Sequence, residues 1–91
     1  MRIRYTRTAL EDLSDIHAYI AEDSQAAAGR VISVLHDTIE LLGVFSELGR
    51  RGSVSGTREF AVTRLPYVIV YQISDSEIQI LNVFHMARSR G

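Results

Sequence analysis

The sequence predicts an α+β domain in the order β-α-α-β-β-β, a helix hairpin packed on one face of a small antiparallel sheet. Three observations lead there. A short alternating segment opens the chain, two stretches with helical spacing of apolar residues follow, and three runs rich in β-branched and aromatic residues close it. The 91 residues are read as one domain, 1–91, because a chain this short cannot build two full cores.

Each element has its own signal. Arg2 to Thr6 alternates, with Ile3 and Tyr5 on one side and Arg2 and Arg4 on the other, the pattern of a half-buried strand. Thr8-x-x-Glu11 then reads as a capping box, in which hydroxyl and carboxylate satisfy backbone donors at a helix start. Behind it Ala9, Leu13, Ile16 and Ile20 form a helical stripe. Glu11, Asp12 and Asp15 sit near its positive end. Asp23 or Ser24 breaks this helix and caps the next. In the second helix Ala28, Val31, Ile32, Leu35, Ile39 and Leu42 make one stripe, and Ala27, Val34 and Leu41 make a neighbouring one at intervals of seven. Together these stripes are wider than a single core-facing face, so the hairpin should carry more apolar surface than one sheet covers.

Gly49, Gly52, Ser53, Ser55 and Gly56 mark a loop. The strand runs are 57–63, 67–73 and 77–85. The turns at 64–66 and 74–76 are short enough to join only antiparallel neighbours. The middle run is apolar on both faces, as the central strand of the three should be.

Composition narrows the class. Hydrophobic residues are 46% and charged residues 23%, which excludes a disordered or fibrous chain. With no cysteine there is no disulfide, thiolate metal site or cysteine nucleophile. The longest apolar run, at 65–71, falls far short of the roughly 18 residues of a membrane span, and Glu11 and Asp12 interrupt any secretory signal, so a cytoplasmic location is expected. The net charge of −1 hides a segregation: residues 1–10 carry +3, residues 11–47 carry −7 and residues 48–91 carry +3. If the two basic segments fold side by side, the molecule has a basic face suited to phosphates or an acidic partner. All ten basic residues are arginine. Either bidentate recognition or coding bias accounts for that.

Several residues are candidates for chemistry. His17 and His36 lie among acids on helices without metal-ligand spacing and read as surface residues; no metal and no cofactor is expected. The loop Gly49-Arg50-Arg51-Gly52 is either a phosphate clamp or a plain connector with a helix C-cap at Gly43 or Gly49. It lacks the Gly-Lys-Ser/Thr ending of a P-loop. Arg58 and Arg64 flank Phe60 and Val62 on one strand face. Tyr71 is either core or catalytic. His85, three residues before Arg88, either acts as a general base on a ribose hydroxyl or closes its strand with a hydrogen bond.

These pieces together resemble a known family. Ala9-Leu10-Glu11-Asp12-Leu13-Ser14-Asp15-Ile16 with Tyr19-Ile20 looks like the first helix of the RelE/ParE toxin superfamily. Gly49-Arg50-Arg51-Gly52 followed by Gly56-Thr57-Arg58-Glu59-Phe60 is similar to its "GR.G…GTRE" stretch. Pro66-Tyr67-Val68-Ile69-Val70-Tyr71 and Ile80-Leu81-Asn82-Val83-Phe84-His85-Met86-Ala87-Arg88 resemble its last two strands. The resemblance covers essentially the whole chain.

It implies the toxin of a type II toxin–antitoxin pair, neutralised by a cognate antitoxin and assembled with it as a hetero-oligomer. The antitoxin would lie along Leu13, Ile20, Ala27, Val34 and Leu41. ParE-like members inhibit DNA gyrase, and RelE-like members cut messenger RNA on the ribosome. The "GTRE" and "PYVIVY" segments look more like the ParE side, the chain has no lysine, and nothing aromatic follows Phe84. The expectation is therefore a gyrase inhibitor that blocks replication, with no catalytic residues, meeting its target through Arg50, Arg51, Arg58, Arg64, His85 and Arg88. The alternatives are a ribosome-dependent mRNA endoribonuclease using Arg58, Tyr71, His85 and Arg88, or a non-toxic relative that only binds an antitoxin.

Overall fold

A computed structural model describes residues 1–88, with the side chain of Arg88 outside the described part. Strand β1 (Arg2–Tyr5) leads into helices α1 (Arg7–Ala21) and α2 (Gln25–Val44). Strands β2 (Arg50–Arg51), β3 (Arg58–Ala61), β4 (Tyr67–Ser74) and β5 (Glu77–His85) follow, and a 3₁₀ turn Met86–Arg88 comes last. The five strands form one sheet in the order β1-β5-β4-β3-β2.

The expected helix hairpin on an α+β sheet is what the chain builds, with two refinements. The sheet is mixed: β2 to β5 are antiparallel, while β1 pairs parallel to β5, Ile3 opposite Ile78 and Tyr5 opposite Ile80. A parallel pair needs a long crossover, and the helix hairpin is the first part of it. The glycine-rich loop also contains the two-residue strand β2, held against β3 with Arg50 opposite Glu59 and Arg51 opposite Arg58.

The helix caps differ from expectation at the start of α1 and at the end of α2. Helix α1 starts at Arg7, and its cap is Thr6 rather than Thr8 of a capping box; the Thr6 hydroxyl oxygen accepts from Ala9 N at 3.0 Å. Thr6 wins because it is the last extended residue, tied to β5 by its own amide donating to Ile80 O. Ser24 caps α2 by accepting from Ala27 N. That helix runs through Gly43, so Gly43 is not a C-cap. It is buried against Ile3, and a Cβ there would lie 2.9 Å from Ile3 Cδ1.

The core lies between the helices and one sheet face. Ala9 of α1 and Leu35, Ile39 and Leu42 of α2 meet Ile69 and Tyr71 of β4 and Ile78, Ile80 and Val83 of β5. Each large apolar side chain buried this way contributes about 1.5–3 kcal/mol. As expected, β4 is central and buried on both faces over its first five residues.

A bulge sets the far half of β5. Val70 faces Asn82 while Tyr71 faces Ile80, so Leu81 is an extra residue without a partner in β4. The insertion reverses the alternation, turning Val83 and His85, rather than Asn82 and Phe84, toward the helices. Strand β1 ends at the Tyr5–Ile80 pair, so the edge of β5 beyond it is completed by side chains. The Thr6 hydroxyl is shared between Ile80 O at 3.1 Å and Leu81 O at 3.0 Å, and Asp12 Oδ2 accepts from Val83 N at 2.9 Å. Helix α1 is thereby fixed to the bulge.

Candidate functional site

Two layers carry opposite charge. The acids of 11–47 lie mainly on the helices, and the arginines at 2, 4, 50, 51, 58 and 64 lie on the sheet or its turns. The basic segments do not merge into one face. β1 and β2 are the opposite edges of the sheet, and two of the arginines, though exposed, each lie beside a carboxylate. Arg4 pairs with Glu77 at 3.8 Å, and Arg50 pairs at 3.6 Å with Glu59, whose other carboxylate oxygen accepts from Ser53 N.

Arg58 and Tyr71 come together, and both hold the loop between α2 and β2. Tyr71 is fully buried. Its hydroxyl donates to Ser46 O at 2.7 Å and accepts from Gly49 N at 2.8 Å. Arg58 Nη1 donates to Gly49 O at 2.7 Å and, more weakly, to Glu47 O at 3.4 Å. Burial pushes the Tyr71 phenol above the usual tyrosine range, with the Gly49 hydrogen bond and the Arg58 charge partly opposing it. Gly49 is thus neither a helix C-cap nor part of an open phosphate cradle. Arg51 is exposed beside a shallow depression formed with residues 52, 53, 55, 56 and 57.

His85 sits elsewhere. It pairs across the sheet with Tyr67, whose ring meets it edge to face at 5.2 Å. Tyr67 and Tyr71 are four residues apart on β4, roughly 13 Å at about 3.3 Å per residue, and Arg58 lies on the opposite neighbouring strand. His85 Nδ1 accepts from Ala87 N at 3.0 Å. In the neutral ring that places the proton on Nε2 and commits the remaining lone pair, the one a general base would use. Arg64 is exposed in the β3–β4 turn with a left-handed φ of 68°. The structure therefore does not gather Arg58, Tyr71 and His85 around one reacting atom; the side chain of Arg88 lies outside the described part. His17 and His36 are exposed, and among the described residues no group of three or more His, Cys, Asp or Glu converges to hold a metal ion.

On the helices, Leu13 is half-buried and packs against the core, and Ile20 and Ala27 are also half-buried. Val34 and Leu41 are open to solvent at 41% and 43%. The sequence reading stopped short of Val44, Phe45 and Leu48, which are exposed and extend this strip past the helix end. Continuing the seven-residue interval from Ala27 through Leu41 would have reached Leu48. Among the described residues, no helix is long and apolar enough to cross a membrane.

With this geometry in place, comparison with known proteins identifies the family. Residues 3–90 match the model of the ParE toxin of the type II toxin–antitoxin system parDE. The chain belongs to the ParE toxin family. It is 39% identical over 84 residues to the Y4kP protein of Sinorhizobium fredii, covering 92% of this chain and 86% of that one. It is 34% identical over 87 residues to toxin RelE2 of Caulobacter vibrioides, covering 96% and 97%. A chain of the chromosomal ParDE toxin–antitoxin system of P. aeruginosa superposes with a TM-score of 0.83 at 25% identity, over 93% of this chain and 95% of that one. The family and its fold agree with the resemblance read from the sequence.

Proposed function

We propose that this chain is a growth-arresting toxin of the cytoplasm that inhibits DNA gyrase by binding it, blocks replication and is neutralised by a cognate antitoxin. The observation that carries this reading is the employment of Arg58 and Tyr71 in holding the α2–β2 loop, away from His85. Side chains so engaged suit a rigid binding surface better than an acid–base pair on RNA, which needs its groups within hydrogen-bond reach of one substrate. The target would meet the exposed arginines at 50, 51 and 64 together with the sheet end around His85. The antitoxin would cover the apolar strip of Val34, Leu41, Val44 and Phe45, which leaves a large apolar patch exposed in the free chain.

Parallel pulse-labelling with thymidine and methionine after induction tests the target. Early arrest of thymidine incorporation with protein synthesis continuing is the expected result, to be followed by inhibition of gyrase supercoiling by purified protein. Early collapse of methionine incorporation would instead favour the mRNA endoribonuclease. No arrest of either would favour a non-toxic antitoxin-binding relative.

A further inference from the structure

The short hairpin of β2 and β3 carries its charges differently on its two faces. On one face Arg50 stands opposite Glu59, and the two form an ion pair at 3.6 Å. On the other face Arg51 stands opposite Arg58, which in turn stands opposite Tyr71. Both arginines therefore lie on the helix side of the sheet, beside the loop that follows α2. Directly opposed side chains of one sign repel, with Cβ atoms only about 5 Å apart. Neither guanidinium has a carboxylate at ion-pair distance among the described residues. The Arg51 side chain makes no hydrogen bond there, and Arg58 uses Nη1 alone, on the carbonyls of Glu47 and Gly49.

The surroundings suit an anion. Arg51, Arg58 and residues 52, 53, 55, 56 and 57 line an open depression of about 610 Å³, and among the described residues no acidic side chain lines it. Its rim is held in place. Thr57 N and Thr57 Oγ1 both donate to Val54 O, at 3.1 and 2.6 Å, and Gly52 N donates to Thr57 O at 2.8 Å. Arg58 is fixed by its carbonyl contacts with Nε and Nη2 left over, so one wall is preorganised. The closed turn leaves the Val54 side chain outside, 67% exposed. A nucleic acid fits this setting poorly, because its affinity comes from many phosphates met along a basic track. Here β1 and β2 are opposite edges, Arg4 and Arg50 lie beside carboxylates, and residues 11–47 carry −7. Among the described residues no aromatic ring lines the depression for a base to stack on. Two arginine forks beside one apolar side chain instead match an acidic residue with an apolar neighbour on a protein surface.

We propose that Arg51 and Arg58 together clamp one carboxylate on a surface segment of the toxin's protein target, with Val54 packed on an apolar residue beside it. This rests on the reading that the chain acts by binding a protein. It adds what that protein must present: an exposed aspartate or glutamate next to an apolar side chain. The bound carboxylate offsets the repulsion between Arg51 and Arg58, so the two charges oppose each other in the free chain and are satisfied in the complex. A pair that costs the free chain stability in this way serves a partner rather than folding.

The test uses the full chain. In an amide NMR titration, the peptide acetyl-Glu-Leu-amide should shift the Arg51, Val54 and Arg58 amides saturably, and neutral acetyl-Gln-Leu-amide should not. Arg51→Gln, at an exposed position, should weaken that binding about three- to fivefold and raise the urea midpoint, since it removes a like-charge pair. Arg2→Gln, the same charge change on the opposite edge strand, should leave binding as it is. Equal shifts with the glutamine peptide, no shift at these amides, binding that survives Arg51→Gln, or a lower urea midpoint in that variant would each overturn the clamp. So would a short RNA oligonucleotide that binds the same amides more tightly than the acidic peptide. Binding of purified gyrase by the parent and Arg51→Gln chains separates this inference from the function on which it rests. Weaker binding by the variant supports both. Equal binding overturns the clamp and leaves gyrase as the target. A clamp seen by NMR in a chain that does not bind gyrase supports the clamp and removes gyrase.

Discussion

The buried hydroxyl of Tyr71, in the middle of the sheet, and the amide of Gly49, in the loop after α2, form one hydrogen-bonded unit at 2.8 Å. The approach is so close that a Cβ at position 49 would lie 2.6 Å from Tyr71 Oη and 2.8 Å from Cε1. Gly49→Ala must push the loop off the central strand, since Tyr71 is packed on all sides. The expected loss is about 1–3 kcal/mol, read as a lower urea midpoint at unchanged slope. A midpoint equal to that of the parent chain would show that the loop yields freely.

The same pair makes stability depend on pH in the alkaline range. Burial raises the Tyr71 phenol above its unfolded value near 10. Its contribution is therefore fully present below the unfolded value and is lost as pH rises through the folded one. Ionisation also removes the proton donated to Ser46 O. Tyr71→Phe should cost about 1–3 kcal/mol at neutral pH by stranding Gly49 N and Ser46 O. It should also flatten the fall in stability above about pH 10. Tyr5, raised by burial and by the charge of Glu40, leaves a residual slope. Urea midpoints at neutral and alkaline pH for both chains decide it; an unchanged slope in the variant counts against Tyr71.

Thr6 joins the start of α1 to the bulge in β5 by accepting from Ala9 N and donating to the carbonyls of Ile80 and Leu81. Thr6→Ala removes cap and tie together and should cost about 1–2 kcal/mol. Thr6→Ser keeps the hydroxyl and should recover most of that. Thermal unfolding of the two variants makes the comparison, and equal losses would mean that the methyl group rather than the hydroxyl matters.

Element order, the helix hairpin and the central place of β4 were legible because each rests on local periodicity or on turns too short for any other connection. What escaped the sequence depends on contacts between distant residues. Thr6 outcompetes Thr8 as cap because β5, more than seventy residues away, holds Thr6 extended. The parallel pairing of β1 and the two-residue β2 follow from what sheet edges are offered, which no window along the chain reveals. The candidate site was legible as a list of residue types but not as an arrangement. Tyr71 and Arg58 proved to be loop anchors, and the Leu81 bulge moved His85 to the helix side, where it meets Tyr67.

His85 separates a binding toxin from an enzyme. Its Nδ1 is engaged by Ala87 N and its ring rests against Tyr67, so it supports the sheet end rather than a reacting oxygen. His85→Gln alters one contact at the sheet end proposed to meet the target and should weaken growth arrest by no more than about tenfold, because no chemical step depends on a proton-accepting nitrogen there. A loss of a hundredfold or more, in the range general-base catalysis supplies, together with loss of messenger RNA cleavage, would remove the gyrase reading. The measurement is the inducer dose needed to stop colony formation, with total RNA examined in parallel.

Neutralisation tests the apolar strip. Val34 and Leu41 sit on the outer side of α2, away from the Leu35, Ile39 and Leu42 contacts that hold the helix on the sheet. Replacing both with arginine should therefore change folding stability by no more than about 0.5 kcal/mol per site. Covered by an antitoxin helix, the same two charges would be buried without partners, which costs several kcal/mol. The double variant should thus stop growth as the parent chain does, while co-expression of the antitoxin no longer rescues it. Binding of purified antitoxin should weaken by at least about a hundredfold, since each 1.4 kcal/mol is a factor of ten. Full rescue by the antitoxin, with the variant shown to be folded, would place the antitoxin on another surface. The adjoining exposed residues Val44, Phe45 and Leu48 would then need a different occupant.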